Sequence, residues 1–175
     1  MSLAFPDLQG TRAAADALAA VQVLAPRHYQ QQAAAIYEDA ELLISAILPD
    51  ARVEHVGASA VPGAYSTGRV DVCVAVPRDS FEEALGVLGE AGFVVESQHA
   101  DVRLLAAPDR ELPLSLRLIE SGSRHESLMR VRDALRIDAP LLARYNALKI
   151  DAGARGDAAY REAKAAFFES LLVSP

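Results

Sequence analysis

Cysteine occurs once, at Cys73, so no disulfide can form within the chain, and no Cys/His group has the spacing of a zinc site. No apolar run is long enough for a membrane-crossing helix. The N-terminus lacks the basic-then-apolar pattern of a secretory signal. A P-loop, a dinucleotide fingerprint and a recognisable Ser/His/Asp order are all missing. Lysine is scarce: of 17 basic residues only Lys149 and Lys164 are not arginine. Net charge is −7, which argues against a general grip on nucleic acid. The expectation from these absences is a soluble, cytoplasmic protein with no membrane partner. Its 175 residues suit one domain with a real core, a sheet region over 21–122 and a helical tail over 123–172.

What is present centres on His55-Val-Gly-Ala-Ser-Ala-Val-Pro-Gly63 and the run Arg69-Val-Asp-Val-Cys-Val-Ala-Val76. Residues 53–56 read as a short strand that Gly57 breaks, and Pro62-Gly63 marks a turn. Residues 69–76 are nearly all apolar and β-branched at alternate positions, the pattern of a strand buried on both faces. Asp71 is the exception. A carboxylate there is costly unless it is paired or bound to a cation. A loop with Gly57 and Ser59 can bring backbone N–H groups to a phosphate, with the carboxylate holding a metal ion beside it.

Before this centre, 11–20 suit a short helix and 21–25 an edge strand or extended arm. Tyr29, Ala33, Ile36, Ala40, Leu43, Ile44 and Ile47 recur at helical spacing after Pro26. After it, Ser80-Phe-Glu-Glu83 reads as a capping box, and Gly92 as a helix stop. Residues 93–96, 102–106 and 112–120 read as strands, the last two joined through a turn over 108–111 as a hairpin. A second capping box, Ser123-Arg-His-Glu126, opens a helical tail containing Leu128, Val131, Leu135, Tyr145, Leu148, Phe167 and Phe168. Strands bracketed by helices predict an α+β fold.

The loop and strand resemble the GrpB family of the nucleotidyltransferase superfamily, whose segment runs roughly His-Ile-Gly-Ser-Thr-Ser-Val-Pro-Gly and then Lys-Pro-Ile-Ile-Asp-Ile. His55, Gly57, Val61, Pro62, Gly63 and Asp71 match at the same spacing. The tail resembles the family too, in Arg132-Asp133, Pro140, Tyr145-Asn-Ala-Leu-Lys149 and Tyr160-Arg-Glu-Ala-Lys164. The resemblance spans roughly residues 21–172 and implies a nucleotidyltransferase-like mixed sheet with flanking helices and a C-terminal helical tail. The chain also departs from the family. Ala58 stands for the loop serine, and Thr67-Gly68 for Lys-Pro. Ser115 and Arg117 stand where relatives carry His-x-His. Active members of the superfamily have a second carboxylate two residues after the first, and that position is Cys73 here.

The resemblance names Asp71 as the catalytic and metal-binding carboxylate, with Mg²⁺ as cofactor if the protein is active. The plainer alternative is a buried ion pair without chemistry. The ligand-binding residues expected are His55, Gly57, Ser59, Arg132, Tyr145, Lys149, Tyr160 and Lys164, with Ser115 and Arg117 added because an arginine can hold a phosphate through two parallel hydrogen bonds. Tyr145/Lys149 and Tyr160/Lys164 each share a helix face at i,i+4; the plainer alternative is tyrosines in the core with lysine stems over them. Arg117 cannot ligate a metal. It is expected to pair with Asp71 in the metal's place, which leaves a binding site without metal-dependent chemistry. His28, His99 and His125 read as surface residues. Glu54 and Glu120 are the nearest candidates for a second carboxylate, Glu54 on the strand face opposite His55.

The function expected is binding of a nucleotide or other small phosphate-bearing molecule between the Gly57 loop and the tail, with catalysis degenerate. An active Mg²⁺-dependent nucleotidyltransferase is one alternative. The other is a non-catalytic module linked to coenzyme A metabolism, since GrpB-like domains also occur fused to dephospho-coenzyme A kinases.

Overall fold

The unbroken apolar alternation after Arg69 builds the central strand. In the computed structural model, which describes residues 20–99, 101–107 and 111–173, that strand is β2 (Val70–Val76). Around it stand β1 (Arg52–Val56), β3 (Val94–His99), β4 (Val102–Ala107) and β5 (Leu114–Glu120), in the order β1-β2-β5-β4-β3. β2 pairs antiparallel with β1 and parallel with β5, while the β5–β4 and β4–β3 pairs are antiparallel. The sheet is mixed, β2 is internal, and the class is α+β.

Register decides which residues meet. Asp71 lies opposite Val56 on β1 and Ser115 on β5; Cys73 lies opposite Glu54 and Arg117. Directly paired residues share a face, so Glu54, Asp71, Cys73, Ser115 and Arg117 project to one side. His55 and the valines of β2 project to the other. The valine face is covered by α1 (Gln30–Ile47) and α2 (Phe81–Glu90) through Ala33, Ala40, Ile44, Phe81 and Leu88. Val70, Val72 and Val74 are fully buried there, and each contributes roughly 1.5–3 kcal/mol of transfer free energy.

The Asp71 face is covered by α3 (Ser127–Ile137), which lays Leu128 and Met129 over Val56, Cys73 and Ile119. The tail continues with α4 (Ala139–Ala154) and α5 (Asp157–Val173). Tyr145, Phe167 and Leu135 join Ala58, Val61 and Ala64 of the loop in a separate apolar cluster. Asp138 caps α4 by accepting from Leu141 N at 2.9 Å, with Pro140 in the first turn.

Several local expectations are corrected. Neither serine of the two capping boxes caps a helix with its side chain. Ser80 ends a 3₁₀ turn (Arg78–Ser80) at φ −94° and ψ 0°, outside the extended region that a capping residue adopts, and its hydroxyl does not cap α2. Glu126 accepts from Gly122 N at 2.9 Å, one residue outside its box. Leu43, one of the apolar residues at helical spacing in α1, is 38% exposed, and the helix buries Ala33, Ala40 and Ile44 instead. The segment 21–25 is an arm: Leu24 bridges to Ser66, and Val21 N donates to Gly153 O at 2.9 Å. Gly92 does stop α2. At φ +93° it lets Phe93 N reach Leu88 O and its own N–H reach Gly89 O, both at 3.0 Å. The short helix expected over 11–20 falls almost entirely outside the described residues, as does most of the turn over 108–111.

Candidate functional site

Asp71 leaves β2 on the face covered by the tail, with its side chain 14% exposed. Its partner is two residues back. Arg69 Nε stands 2.9 Å from Asp71 Oδ1. The expected pairing with Arg117 is therefore corrected: Arg117 sits opposite Cys73, two residues further along the strand, and forms no ion pair with Asp71. On its other side the carboxylate packs against Gly57, whose φ is +73°. A Cβ there would lie 2.6 Å from Oδ2, so the absent side chain is what lets loop and carboxylate meet.

The loop from Gly57 to Ser66 is held by its carbonyls. Ala60 O accepts from Arg136 Nε and Nη2 at 2.9 and 2.8 Å, and Val61 O from Gln30 at 2.7 Å. Gly63 O accepts from Asn146 at 3.0 Å, Ala64 O from Tyr29 at 2.7 Å, and Tyr65 O from Lys149 Nζ. Five side chains from the two ends of the chain thus satisfy backbone oxygens that would otherwise be buried unpaired. Between Gly57 and the tail residues Tyr145 and Phe168 only about 20 Å³ is left, too little for a ligand. The loop's Gly57–Ser59 segment is therefore packed shut against the tail and is not the wall of an open cleft.

This packing engages several residues named above. Lys149 is fully buried with its ammonium 4.6 Å above the Tyr145 ring. Burial first, then repulsion from Lys164, pulls its pKa down to about 7, against the attraction of Asp71. Tyr145 is buried with no hydrogen-bond partner for its hydroxyl among the described residues, and burial raises that hydroxyl's pKa. His55 lies on the face away from Asp71. It stacks on Tyr37 at 4.5 Å and shares a 2.9 Å hydrogen bond with the buried Ser59. Burial, with Arg136 and Arg132 nearby, lowers the imidazole pKa to about 4, and Asp71 opposes this. Arg132 donates to Glu54 at 2.6 Å and to His55 O at 2.9 Å.

The open space lies further along. A cavity of about 500 Å³ is bounded by Thr67, Arg69, Arg117, Tyr160, Arg161 and Lys164. The period of α5 puts Asp157, Tyr160, Arg161, Lys164 and Phe168 on its wall. Arg161 pairs with Asp157, and Arg69 with Asp71. Arg117 and Lys164 make no hydrogen bond or ion pair among the described residues; Lys164 rests over the rings of Tyr160 and Phe168 at 6.0 and 5.8 Å. Burial lowers the Lys164 pKa, Asp71 opposes this, and Arg69 and Arg117 add to it. Tyr160 is raised to about 12, chiefly by burial. The structure thus gathers Arg117, Tyr160 and Lys164, with Asp71 behind Arg69 and Ser115 beside Asp71. Gly57, Ser59, His55, Arg132, Tyr145 and Lys149 belong to the packing around the loop.

The donor set does not fit a magnesium ion. Mg²⁺ takes one or two carboxylates with waters and substrate phosphates, and here Asp71 is engaged by Arg69. Glu54 does project on the Asp71 face, directly across from Cys73, but Arg132 holds it. Glu120 lies 3.7 Å from Arg78. Burial pushes the Cys73 thiol up to about 11, so it stays protonated. Among the described residues no three His, Cys, Asp or Glu side chains cluster in a way that could hold a metal.

Two cavity residues were legible in the sequence but not singled out. Arg69 is i−2 from Asp71, the spacing that puts neighbours on one strand face. Arg161 follows Tyr160 and precedes Lys164 by three, within reach on one helix face.

Comparison with known proteins agrees with this geometry's origin. The family model described as GrpB protein matches residues 23–173. A UPF0157 protein from Vibrio cholerae is 35% identical over 147 residues, spanning 82% of this chain and 78% of the relative. The crystal structure of the conserved protein GrpB from Enterococcus faecalis superposes with a TM-score of 0.65 at 17% identity, covering 86% of this chain and 99% of that one. The Cid1 poly(U) polymerase gives a TM-score of 0.46 at 17% identity over 64% of this chain and 38% of that one.

Proposed function

The chain belongs to the GrpB family, and from that premise we propose that it binds a phosphate-bearing small molecule, a nucleotide by class, in the cavity between β2, β5 and α5, without metal-dependent transfer. One observation carries this reading: Arg117 and Lys164 line a cavity of about 500 Å³ and neither forms an ion pair among the described residues, the cavity's one carboxylate, Asp157, being taken by Arg161. Cations partly removed from water and left unpaired cost free energy, and an oligophosphate would relieve that cost for both. Arg117 supplies the fork that holds two phosphate oxygens at once. Lys164 supplies a point charge, and Thr67 and Tyr160 offer hydroxyls. In a chain of net charge −7, a local group of four cationic side chains around one cavity suits a small anion better than a nucleic acid. Asp71 acts here as the anchor of Arg69, which keeps that guanidinium at the cavity wall.

The test is calorimetric titration with pyrophosphate and ATP, each with EDTA and then with Mg²⁺. Both ligands are expected to bind in EDTA, and Arg117→Ala with Lys164→Ala to lose at least tenfold in affinity, about 1.4 kcal/mol. No binding by either ligand, or unchanged affinity in the double variant, overturns the proposal. Binding that requires Mg²⁺, with pyrophosphate released from ATP, would make the protein an enzyme instead.

A further inference from the structure

A second cavity, of about 460 Å³, shares a wall with the first. Arg117 lines both; the rest of the second is formed by His99, Asp101, Leu104, Arg124 and His125. Its chemistry differs. The first cavity presents four cationic side chains to one carboxylate, Asp157. The second is built around a carboxylate: Asp101 Oδ1 lies 3.0 Å from His125 Nε2, and Oδ2 lies 3.6 Å from Arg124 Nε. The close approach of His125, aided by Arg124, lowers the Asp101 pKa. His99 and His125, read from sequence as surface residues, thus face a cavity, and the His125 side chain is only 19% exposed.

We infer that this second cavity receives the sugar of the same ligand, so that the ligand is a ribonucleotide or related sugar phosphate with its phosphates at Arg117 and Lys164 and its hydroxyls at Asp101. The inference rests on the proposed function and adds what the ligand carries beyond phosphate. A phosphate cannot settle against an ionised carboxylate, because like charges repel. A neutral hydroxyl can, by donating to it, and charge-assisted bonds of this kind are the stronger ones. A ribose offers two such donors on one edge, which suits a carboxylate with two oxygens. His125 fixes the carboxylate's orientation, and its apolar neighbours Val102 and Leu104 bound the site. Because Arg117 reaches both cavities, phosphate and sugar of one molecule can be held on either side of it.

The experiment compares ATP, 2′,3′-dideoxy-ATP and pyrophosphate by calorimetry in EDTA, using the full chain. ATP is expected to bind about tenfold more tightly than the dideoxy analogue. In Asp101→Ala that ratio should fall to about one, while pyrophosphate affinity stays as in the unmodified protein. Asp101→Ser provides a second variant if the alanine form folds poorly, and the ligand comparison on the unmodified protein needs no variant. Equal binding of ATP and its dideoxy analogue, or a preference that survives loss of Asp101, overturns the inference. Pyrophosphate that binds through Arg117 without any hydroxyl preference sinks this inference alone. Failure of pyrophosphate to bind sinks the proposed function and this inference with it.

Discussion

Asp71 Oδ2 occupies the space where a side chain on Gly57 would begin, 2.6 Å from an ideal Cβ position. Gly57 also holds a φ of +73°, which L-residues adopt at a cost. Gly57→Ala should therefore destabilise by about 2–4 kcal/mol, the sum of backbone strain and overpacking. Urea unfolding read by circular dichroism measures it; a change under 1 kcal/mol would show that the loop yields easily.

Arg69→Ala should leave the Asp71 charge without its guanidinium. Arg69 is 44% exposed, so water makes up part of the loss. The expected destabilisation is about 1–2 kcal/mol, below the range for fully buried pairs. Adding Asp71→Asn should recover much of it, since the amide carries no charge to strand. A double-mutant cycle with additive effects would deny the pairing.

Lys149 couples the fold to alkaline pH. Its folded pKa, near 7, lies below its unfolded value of 10.5. Between those values the unfolded chain binds the proton that the folded chain has released, so stability rises with pH across that window. Lys149→Met should lack this rise. Thermal midpoints of both proteins from pH 6 to 9.5 test it, and parallel profiles would refute it.

His55 acts at the acid end. Its folded pKa is near 4 against 6.5 unfolded. As pH falls from 6.5 to 4 the unfolded state gains a proton first, and stability drops. His55→Gln, which keeps a hydrogen-bonding group for Ser59, should show a shallower acid loss in midpoints measured over that range.

Arg117→Met is expected to raise the thermal midpoint by a few degrees in phosphate-free buffer, because it removes a cation that has no ion-pair partner among the described residues from a cationic cavity. The same variant should gain nothing from added pyrophosphate. A lower midpoint in both conditions would mean that Arg117 holds the fold together.

The central strand could be read from the chain because burial on both faces leaves a continuous apolar run, and Asp71 stands out against Val70 and Val72. The pairing of Asp71 could not. Whether Arg117 meets residue 71 or 73 depends on the register between strands some 40 residues apart, and local sequence does not carry that offset. Ser115 took the place opposite Asp71. The capping boxes misled for a related reason: Ser80 has the right residue type, but the 3₁₀ turn before α2 gives it the wrong backbone. The tail's lysines were visible as the only two in the sequence. That Lys149 would be consumed by Tyr65 O while Lys164 faced a cavity follows from how α4 and α5 dock.

The carbonyls of the Gly57 loop are claimed by side chains far away along the chain. Arg136 is 76 residues from Ala60, Asn146 is 83 from Gly63, and Lys149 is 84 from Tyr65. Such contacts must wait for large stretches of chain to be brought together, which slows folding. The loop accordingly takes its shape late, after α4 has arrived. On a ribosome β1 would emerge before β2, its neighbour in the sheet, and well before the helices that hold the loop. A refolding experiment should see His55 stack on Tyr37 before Lys149 leaves water. The segment most like the family's signature is thus the one least able to form on its own.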